Sequence, residues 1–463
     1  MSETLNRDTL DASATDLVAA LAARRVSALE LAEEAIGRIE ARDKAINAVV
    51  VRDFDRARET ARAADAALAR GDRRPLLGLP MTVKESHNIA GLATTWGAPM
   101  FQGMLAQSDA LGITRLKNAG AVILGKTNVP PFLSDYQSNN PIYGRTGNPW
   151  DLTRTPGGSS GGAAAALAAG MVPLEFGSDI GGSIRMPAHF CGVFGHKPSY
   201  NLIPVRGHEP PGAGPGAGVL LAVVGPLART AKDLSLALDV LAGPDTAEAM
   251  AYRLDLPLAR HAKLGEHRVL VLSDSAMMPV DDEIRAGIEA MGDKLAALGA
   301  KVTRGSDLVP DYAEIQRVYM GILMPTVTRG APGVPVISAH EWMELLDAQA
   351  RLRLQWARLF QDFDVVLAPV HGSAAFPHDD NPDMGARTLT LNGKTVSYMA
   401  PAGWAGLATS ANLPATAMPV GLTRAGLPYG LQVIGPYLED RTTLAFAALA
   451  ERDVGGFRPP PGF

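Results

Sequence analysis

Two glycine-serine turns, whose serines Ser159 and Ser183 lie 24 residues apart, constrain this chain more than any other feature. The first reads Gly-Gly-Ser-Ser-Gly-Gly over residues 157–162, and the second reads Gly-Gly-Ser over 181–183. Between them, residues 163–169 predict an alanine-rich helix and 172–176 a strand. Glycine permits positive φ and close approach of the backbone, so such turns can direct several amide N–H groups at one point. We therefore expect an oxyanion-binding site here; two ordinary turns with incidental serines are the alternative.

Short apolar stretches alternate with amphipathic ones in both halves of the chain. Ser27 and Glu30 fit a helix-capping box, and Leu29, Ala32 and Ile36 follow at the spacing of one helix face. Strands that alternate with helices are typical of an α/β fold with helices on both faces of a mixed sheet. The pattern predicts helices over residues 53–70, 110–119 and 282–298, and strands over 121–124, 172–176, 267–272, 301–303, 364–369, 415–420 and 429–434.

Composition and charge argue against several classes of protein. Of the 463 residues, 47% are hydrophobic and 20% charged, as in a soluble globular chain. Acidic residues (48) exceed basic ones (43), which disfavours nucleic acid or an anionic membrane surface as a partner. One cysteine excludes an internal disulfide framework and a multi-cysteine metal site. The first sixteen residues lack the basic start and apolar stretch of a signal peptide, so we expect a cytoplasmic protein without a membrane segment.

Two further motifs match known signatures by their letters. Residues 120–127 match a phosphate-binding P-loop, but Ala-Val-Ile-Leu between the glycines predicts a strand where a P-loop needs an open loop. Ser159 and Ser160 each stand at the centre of a Gly-x-Ser-x-Gly, yet the polar residues 151–156 precede them instead of a strand. The α/β-hydrolase arrangement is therefore disfavoured, and a P-loop nucleotide-binding protein stays as a weaker alternative.

The chain resembles the amidase signature family of serine hydrolases. The resemblance rests on the two serine motifs, on Val-Lys-Glu-Ser at 83–86 and on the C-terminal stretch 411–435, and it covers most of the chain. It implies one large α/β/α domain over residues 1–463, built around a mixed, mostly buried sheet of about eleven strands. Within that domain we expect N-terminal helices over about 8–70, the signature core over about 76–200, a variable substrate-pocket part over about 201–400 and a returning core over about 401–455.

The resemblance implies a Ser–cis-Ser–Lys catalytic set. Ser183 matches the acyl-accepting nucleophile, Ser159 the bridging serine that follows a cis peptide bond, and Lys84 the base. An oxyanion hole is implied at the backbone amides of Ile180, Gly181, Gly182 and Ser183. Supporting positions that orient the loop are implied at Ser160, Asp179 and Arg185. Neither a cofactor nor a metal is expected, since the sequence carries no His, Cys and Asp cluster with metal-ligand spacing.

A lysine acts as a base only when it is neutral. At the reference pKa of about 10.4, its deprotonation at pH 7 costs roughly 4.6 kcal/mol. The mostly apolar residues 76–83 predict a buried Lys84, and burial lowers a lysine pKa. Glu85 would oppose that shift only if it pointed the same way, and adjacent residues of a strand point to opposite faces. We therefore expect Lys84 to take a proton from Ser159, which takes one from Ser183.

The implied activity is amide hydrolysis on a small molecule. Candidate pocket residues are Phe132 and Tyr136 in segment 131–140, Met324 in 321–328 and Trp404 in 398–404, with plain packing as the alternative for each. The loop 207–218 is a further candidate wall. Such walls suit small aryl or alkyl amides better than glutamine, and carbamates and esters share the reacting carbonyl. Monomer and homodimer both stay open.

The sequence departs from the family pattern in three places, of which Gly-Ser-Asp at 177–179, in place of Gly-Thr-Asp, keeps the hydroxyl group. Residues 86–89 read Ser-His-Asn-Ile where most members carry Asp-Asn-Ile. Residues 220–226 read Leu-Leu-Ala-Val-Val-Gly-Pro, where amidotransferase subunits that act on mischarged tRNA carry the polar Ser-Leu-Asp-Gln-Ile-Gly-Pro. This difference disfavours the alternative function, the A subunit of a glutamine-dependent tRNA amidotransferase. Cys191, the one rival nucleophile, lies in an apolar stretch, and we interpret it as a core residue.

Overall fold

A mixed sheet of eleven strands passes through the protein and is flanked by helices. We describe a computed structural model over residues 9–213, 218–329 and 333–463. Residues 214–217 of the 207–218 loop, and the first eight of the sixteen N-terminal residues considered above, lie outside the described residues. The predicted α/β class and mixed sheet are confirmed, and the sheet has the number of strands that the family resemblance implies.

Twelve α-helices lie in the described residues. Their bounds are α1 Ala14–Ala22, α2 Ala28–Ile46, α3 Phe54–Ala69, α4 Leu111–Asn118, α5 Gly161–Ala168, α6 Arg185–Cys191, α7 Ala231–Leu241, α8 Asp282–Ala297, α9 Tyr312–Val327, α10 Ala339–Asp362, α11 Gly406–Thr409 and α12 Asp440–Asp453. Helix α2 begins at the predicted capping box: Ser27 Oγ accepts from the Glu30 amide at 3.0 Å, and the Glu30 carboxylate accepts from the Ser27 amide at 2.8 Å.

Fifteen strands lie in the described residues. Their bounds are β1 Val49–Arg52, β2 Pro80–Lys84, β3 Val122–Thr127, β4 Asn139–Asn140, β5 Gly144–Arg145, β6 Leu174–Asp179, β7 Phe194–Lys197, β8 Val223–Ala228, β9 Arg268–Val271, β10 Lys301–Arg304, β11 Val365–Pro369, β12 Thr388–Leu391, β13 Lys394–Ser397, β14 Ala415–Leu422 and β15 Pro428–Ile434. The large sheet has the order β1-β3-β2-β6-β8-β7-β14-β15-β11-β9-β10, while β4 pairs with β5 and β12 with β13.

Strand direction in the large sheet brings two sequence motifs to one edge. Strand β2 is parallel to both β3 and β6, and β9 is parallel to both β10 and β11, whereas the other neighbours are antiparallel. Parallel neighbours end at the same edge of a sheet. Since Lys84 is the last residue of β2 and Asp179 the last of β6, the lysine motif and the second serine motif meet there.

Two apolar clusters form the core. The larger one packs the N-terminal helices and α5 to α8 against the sheet. The smaller one lies under α9 and α10 and includes Tyr319, Trp356 and Trp404. Complete burial of a side chain as large as leucine contributes about 1.5–3 kcal/mol, so each cluster stabilises the fold substantially.

The predicted strands are all present, with bounds that differ by a few residues. Residues 122–127 of the P-loop match form strand β3, so no open loop separates its glycines. The Lys126 amine is buried and donates to Thr94 Oγ1 at 2.8 Å. Two long helices, α9 and α10, lie outside the elements predicted above. In α9, Pro325 and the mostly apolar residues 321–325 obscure the helical periodicity. In α10, charged residues are frequent and no clear apolar run is present. Among residues 9–213, 218–329 and 333–463, none of the helices combines the length and apolar character that a bilayer crossing needs.

Two helical glycines are expected to respond oppositely to alanine. A Cβ at Gly162 in α5 would lie 2.3 Å from the Asn128 amide nitrogen, so Gly162→Ala is expected to lower the free energy of unfolding by about 1–3 kcal/mol. A Cβ at Gly37 in α2 meets nothing within 4 Å, so Gly37→Ala is expected to raise that free energy by about 0.5–1 kcal/mol. Urea denaturation measures both; a Gly162→Ala protein as stable as Gly37→Ala would contradict the packing around α5.

Candidate active site

Lys84 lies in the interior at the end of β2, with none of its surface exposed. The other four residues of the strand are buried as well, as the apolar sequence before the lysine predicts. Its Nζ lies 2.7 Å from Ser159 Oγ, 2.8 Å from Ser178 Oγ and 3.5 Å from the Ser178 carbonyl oxygen. Lys84 and Ser159, 75 residues apart in sequence, are therefore in direct hydrogen-bond contact.

Ser159 lies in the first glycine turn, immediately before α5. The Gly158–Ser159 peptide bond is cis. A Cβ at Gly158 would lie 2.2 Å from the Asp135 carbonyl oxygen, so only glycine fits at that position. The Ser160 amide donates to the Ser183 carbonyl oxygen at 3.1 Å, which joins the first turn to the second. The two turns therefore meet, as their sequence predicts.

Ser183 lies in the second glycine turn, between β6 and α6. It is 6% exposed, against 1% for Ser159 and 0% for Lys84, so Ser183 is the most accessible of the three. The turn requires glycine at position 182, where φ is +100° and a Cβ would lie 3.2 Å from Ala405. Exposure thus decreases from Ser183 through Ser159 to Lys84, the order that a proton relay from the surface to a buried base needs.

A buried ion pair holds the second turn. The Asp179 carboxylate accepts from Arg185 Nη2 at 2.9 Å and Nε at 3.0 Å, and from the amides of Gly182 at 2.9 Å and Ile184 at 3.1 Å. Both side chains are fully buried. Burial alone would raise the pKa of Asp179, but the charge and hydrogen bonds of Arg185 outweigh it and hold that pKa at about 2. Asp179 is therefore ionised at neutral pH.

Arg185 connects the second glycine turn to β15 and α11 through hydrogen bonds. It donates to the Ala405 carbonyl oxygen at 3.1 Å, to Gln432 Oε1 at 2.7 Å and to Thr409 Oγ1 at 2.9 Å, besides Asp179. All five of its N–H groups thus have acceptors. The supporting positions expected at Asp179 and Arg185 lie together, and they fix the turn to β15 and α11.

The backbone amides of the second turn divide into two groups. The Gly182 amide donates to Asp179 Oδ1, so it is already committed. Within the described residues, the amides of Ile180, Gly181 and Ser183 donate to no backbone or side-chain acceptor. Three of the four amides expected to form an oxyanion hole are thus free to bind an anion.

Burial favours the neutral form of the Lys84 amine. It lowers the pKa of Lys84 to about 7, against the opposing influence of the Asp179 and Glu175 carboxyl groups. A neutral amine has two N–H bonds and one lone pair. The two oxygens of Ser178 can accept the N–H bonds, which leaves the lone pair for the Ser159 hydroxyl. Glu85 points away from this site, since its carboxylate accepts from Thr95 and Trp96.

Three residues near the site lie outside the set predicted from sequence. Ser178 bonds the Lys84 amine, Glu175 is a buried carboxyl group on β6, and Tyr319 Oη donates to the Ile180 carbonyl oxygen at 3.3 Å. A charged residue inside an otherwise apolar predicted strand was a signal for Glu175. Nothing local to Tyr319 links it to the second turn, because the two are more than 130 residues apart in sequence.

The candidate pocket residues lie at different depths. Tyr136 is half-buried, and its hydroxyl would lie 3.7 Å from a Cβ placed on Gly181, so it borders the second turn. Trp404 is fully buried in the smaller cluster. Phe132 is 48% exposed, and its ring lies beside that of Phe101. Met324 on α9 is 46% exposed. On the same helix, Tyr319 rather than Met324 contacts the turn.

Other candidate chemistry finds no support in the geometry. Cys191 is buried, its Sγ lies 3.4 Å from the Pro156 carbonyl oxygen, and burial raises the pKa of its thiol, so little thiolate forms. In the described part of the chain, no group of three or more His, Cys, Asp or Glu side chains is arranged to hold a metal ion.

Comparison with known proteins gives one consistent result. A family model described as Amidase matches residues 30–330 and 334–444. The chain is 34% identical to the A subunit of the glutamyl-tRNA(Gln) amidotransferase of Anaeromyxobacter dehalogenans, over 96% of each chain. It is 33% identical to indoleacetamide hydrolase of Bradyrhizobium diazoefficiens, over 95% of this chain and 86% of the relative. A solved bacterial aryl acylamidase of the amidase signature family superposes with a TM-score of 0.81, at 26% identity, over 96% of each chain.

The buried ion pair predicts a large loss of stability on truncation. Arg185→Ala leaves the Asp179 charge buried without a partner, so the free energy of unfolding is expected to fall by about 3–5 kcal/mol. The matched control is Arg317→Ala, which removes an exposed pair with Glu314 on α9 and is expected to cost about 0–1 kcal/mol. Chemical denaturation followed by circular dichroism measures both variants. Similar losses for the two would show that Arg185 does not support the turn.

Proposed function

Because the chain belongs to the amidase family, we propose that it hydrolyses the C–N bond of small aryl or alkyl amides through an acyl-enzyme on Ser183. In this mechanism Ser159 relays protons between Ser183 and a neutral Lys84. The contact that carries the proposal is the 2.7 Å hydrogen bond between Lys84 Nζ and Ser159 Oγ in the buried end of the site.

Acylation requires a base and a place for negative charge. Ser183 Oγ attacks the substrate carbonyl carbon while its proton passes to Ser159, whose own proton passes to Lys84. The amides of Ile180, Gly181 and Ser183, which have no acceptor among the described residues, would bind the oxyanion of the tetrahedral intermediate. Collapse breaks the C–N bond, and the leaving amine takes a proton from Ser159 as Lys84 returns one to Ser159.

Deacylation repeats the same transfers with water. Water attacks the ester carbon and gives its proton through Ser159 to Lys84, and Ser183 then regains a proton as the carboxylic acid leaves. Each proton returns to its origin, so the cycle needs no cofactor. Lys84 suits both half-reactions, because at a pKa near 7 it accepts and gives up a proton at similar cost.

The surroundings of the second turn favour an apolar substrate. Ile180 packs against the cluster that contains Leu221, Tyr319 and Trp404, and Tyr136 also borders the turn at Gly181. An apolar wall contributes binding energy to aryl and alkyl groups and leaves the polar side chain of glutamine without partners. Carbamates and esters present the same kind of carbonyl group. We expect their turnover to be faster the better the leaving group is.

The A subunit of a glutamine-dependent tRNA amidotransferase is the second candidate. It is favoured by relatives of that name at 30–34% identity, and disfavoured by the apolar residues that replace the polar stretch before Pro226. A turnover panel of p-nitroanilides, aliphatic amides, carbamates and glutamine separates the two. Glutamine as the best substrate, together with co-purification of a second subunit, would replace our proposal with this one.

A fluorophosphonate probe is expected to label Ser183. The probe reacts with an activated serine, so peptide mapping should place the label on residue 183, and Ser183→Ala should abolish both labelling and amide turnover. Cys191→Ala is the control and should keep nearly full turnover, because the buried thiol is inert. Label found on Ser160 or Cys191 in the wild-type protein would show that another nucleophile acts.

The pH dependence of kcat/KM is expected to follow the protonation of Lys84. Only the neutral amine accepts a proton, so kcat/KM should fall as pH drops through an apparent pKa near 7 and should level off above about pH 8. Lys84→Ala should abolish amide hydrolysis, and Lys84→Arg should be equally inactive because arginine stays charged.

A second buried lysine supplies the control for this experiment. Burial lowers the pKa of Lys126 to about 8, yet its amine bonds Thr94 rather than a serine of the site. Lys126→Met should therefore keep the pH profile of the wild type. A Lys84→Ala enzyme with the wild-type amide rate and profile would exclude Lys84 as the base.

A further inference from the structure

Tyr319 on α9 reaches the second glycine turn from a distant part of the sequence. Its hydroxyl donates to the Ile180 carbonyl oxygen at 3.3 Å. The same hydroxyl oxygen would lie 3.0 Å from a Cβ placed on Gly181. Among the described residues, the hydroxyl has no other hydrogen-bond partner and the Ile180 carbonyl has no other donor. The proposed mechanism does not use this contact, which is made to the peptide that joins Ile180 to Gly181.

The Ile180–Gly181 peptide transmits the effect of that contact. A peptide unit is planar, so the Ile180 carbonyl and the Gly181 N–H belong to one rigid plane and point in opposite directions. A hydroxyl that holds the carbonyl therefore also sets the direction of the N–H. The Gly181 amide donates to no acceptor among the described residues, and it is one of the three amides proposed to bind the oxyanion. Donation to the carbonyl also polarises the peptide and strengthens its N–H as a donor.

This peptide is the part of the turn that the buried ion pair does not hold. Asp179 accepts from the Gly182 amide at 2.9 Å and from the Ile184 amide at 3.1 Å, so it holds the residues after Gly181. Glycine adopts either sign of φ, which makes a peptide beside it easy to rotate. Without the tyrosine hydroxyl, the peptide before Gly181 would be free to turn its N–H away from the site.

Packing fixes the position of the hydroxyl. Tyr319 is 3% exposed and belongs to the smaller apolar cluster, in which Ile315 and Ile322 of the same helix are also buried. A Cβ at Gly406, the first residue of α11, would lie 2.9 Å from Cδ1 of the tyrosine ring, so glycine lets the ring lie this close. Burial raises the pKa of Tyr319 well above its usual value, so the hydroxyl keeps its proton and donates.

We propose that Tyr319 is a positioning residue of the oxyanion site: its hydroxyl holds the Ile180–Gly181 peptide so that the Gly181 N–H points at the oxygen of the tetrahedral intermediate. The inference rests on the proposed acyl transfer to Ser183. The oxyanion forms only during the reaction, so the contact stabilises the transition state more than the bound substrate. Tyr319 acts through the peptide and not on the reacting atoms.

Tyr319→Phe tests this, because it removes the hydroxyl and keeps the ring. On an anilide, kcat is expected to fall about 10- to 100-fold, less than the roughly 10²- to 10³-fold lost when an oxyanion donor is removed outright. KM should change by less than about twofold, because the uncharged substrate carbonyl gains little from the N–H. A wild-type kcat would overturn the proposal. A raised KM with kcat unchanged would also overturn it, since it would indicate a tyrosine that binds the substrate directly.

A trifluoromethyl ketone measures the oxyanion site without turnover. Ser183 Oγ adds to its carbonyl carbon while the serine proton passes along the relay to Lys84, and the tetrahedral adduct carries a negative oxygen like that of the intermediate. The inhibition constant should rise in Tyr319→Phe by the factor by which kcat falls. A packing defect alone would not link these two quantities, so an unchanged inhibition constant would contradict the proposal.

Tyr437→Phe is the matched control. It removes a tyrosine hydroxyl that donates to a backbone carbonyl at the same distance, 3.3 Å, but to Tyr200, which belongs to neither glycine turn. Its kcat and inhibition constant should stay within about twofold of the wild type. Replacing Tyr319 with 4-aminophenylalanine keeps a donor at the end of the ring and should restore most of kcat; a variant as slow as Tyr319→Phe would contradict the proposal. If thermal melting shows Tyr319→Phe unfolded at the assay temperature, both constants are measured at a lower temperature at which it is folded.

Failure of the proposed function is distinguishable from failure of this inference. Amide turnover that persists in Ser183→Ala would contradict the acyl-enzyme, whatever Tyr319→Phe does. A Tyr319→Phe enzyme with the wild-type kcat, in a protein that Ser183→Ala inactivates, would overturn the role of Tyr319 alone.

Discussion

The buried pair of Asp179 and Arg185 is the interaction on which the site depends. Removing two charges from water costs several kcal/mol for each, and the cost is offset only where every hydrogen-bonding position is filled. Here Arg185 uses all five N–H groups, and Asp179 accepts the amides of Gly182 and Ile184 besides. Through the Gln432 contact the pair also ties the second glycine turn to β15, far away in sequence. A rigid turn follows, and with it a fixed direction for the free amides.

The same absence of water gives Lys84 its chemistry. An exposed lysine near its reference pKa is a strong base but carries a proton at neutral pH. At the end of β2, beside serine oxygens, the amine has a pKa lowered to about 7 because its charge is poorly solvated there. The glycine at position 158 lets the first turn pack closely against residue 135, and Ser159 Oγ lies 2.7 Å from the lysine amine, where the proposed mechanism needs a proton relay.

Much of this arrangement could be predicted from the sequence, and the rest depends on contacts between distant residues. The α/β class follows from alternating apolar patterns, and the meeting of the two glycine turns follows from their residues. The commitment of the Gly182 amide to Asp179 could not be predicted, because it depends on which way a carboxylate turns. Nor could the contact of Tyr319 with Ile180 be predicted, since the two residues are 139 positions apart in sequence. Glu175 was visible as a charge in an apolar strand, but its cross-strand partner Thr82 comes from another strand.

The separation of the proposed catalytic centre from the candidate pocket walls suits a fold that serves different substrates. Lys84, Ser159 and the Asp179–Arg185 pair are held by the sheet and the glycine turns, where a change of volume is costly. The candidate walls lie on other elements, such as Tyr136 in the 131–140 segment and Tyr319 on α9. Relatives equally similar to this chain can therefore carry names as different as an indoleacetamide hydrolase and part of a tRNA amidotransferase. For this reason we expect the residues that face the Ile180 turn, rather than overall identity, to decide which substrate the proposed reaction takes.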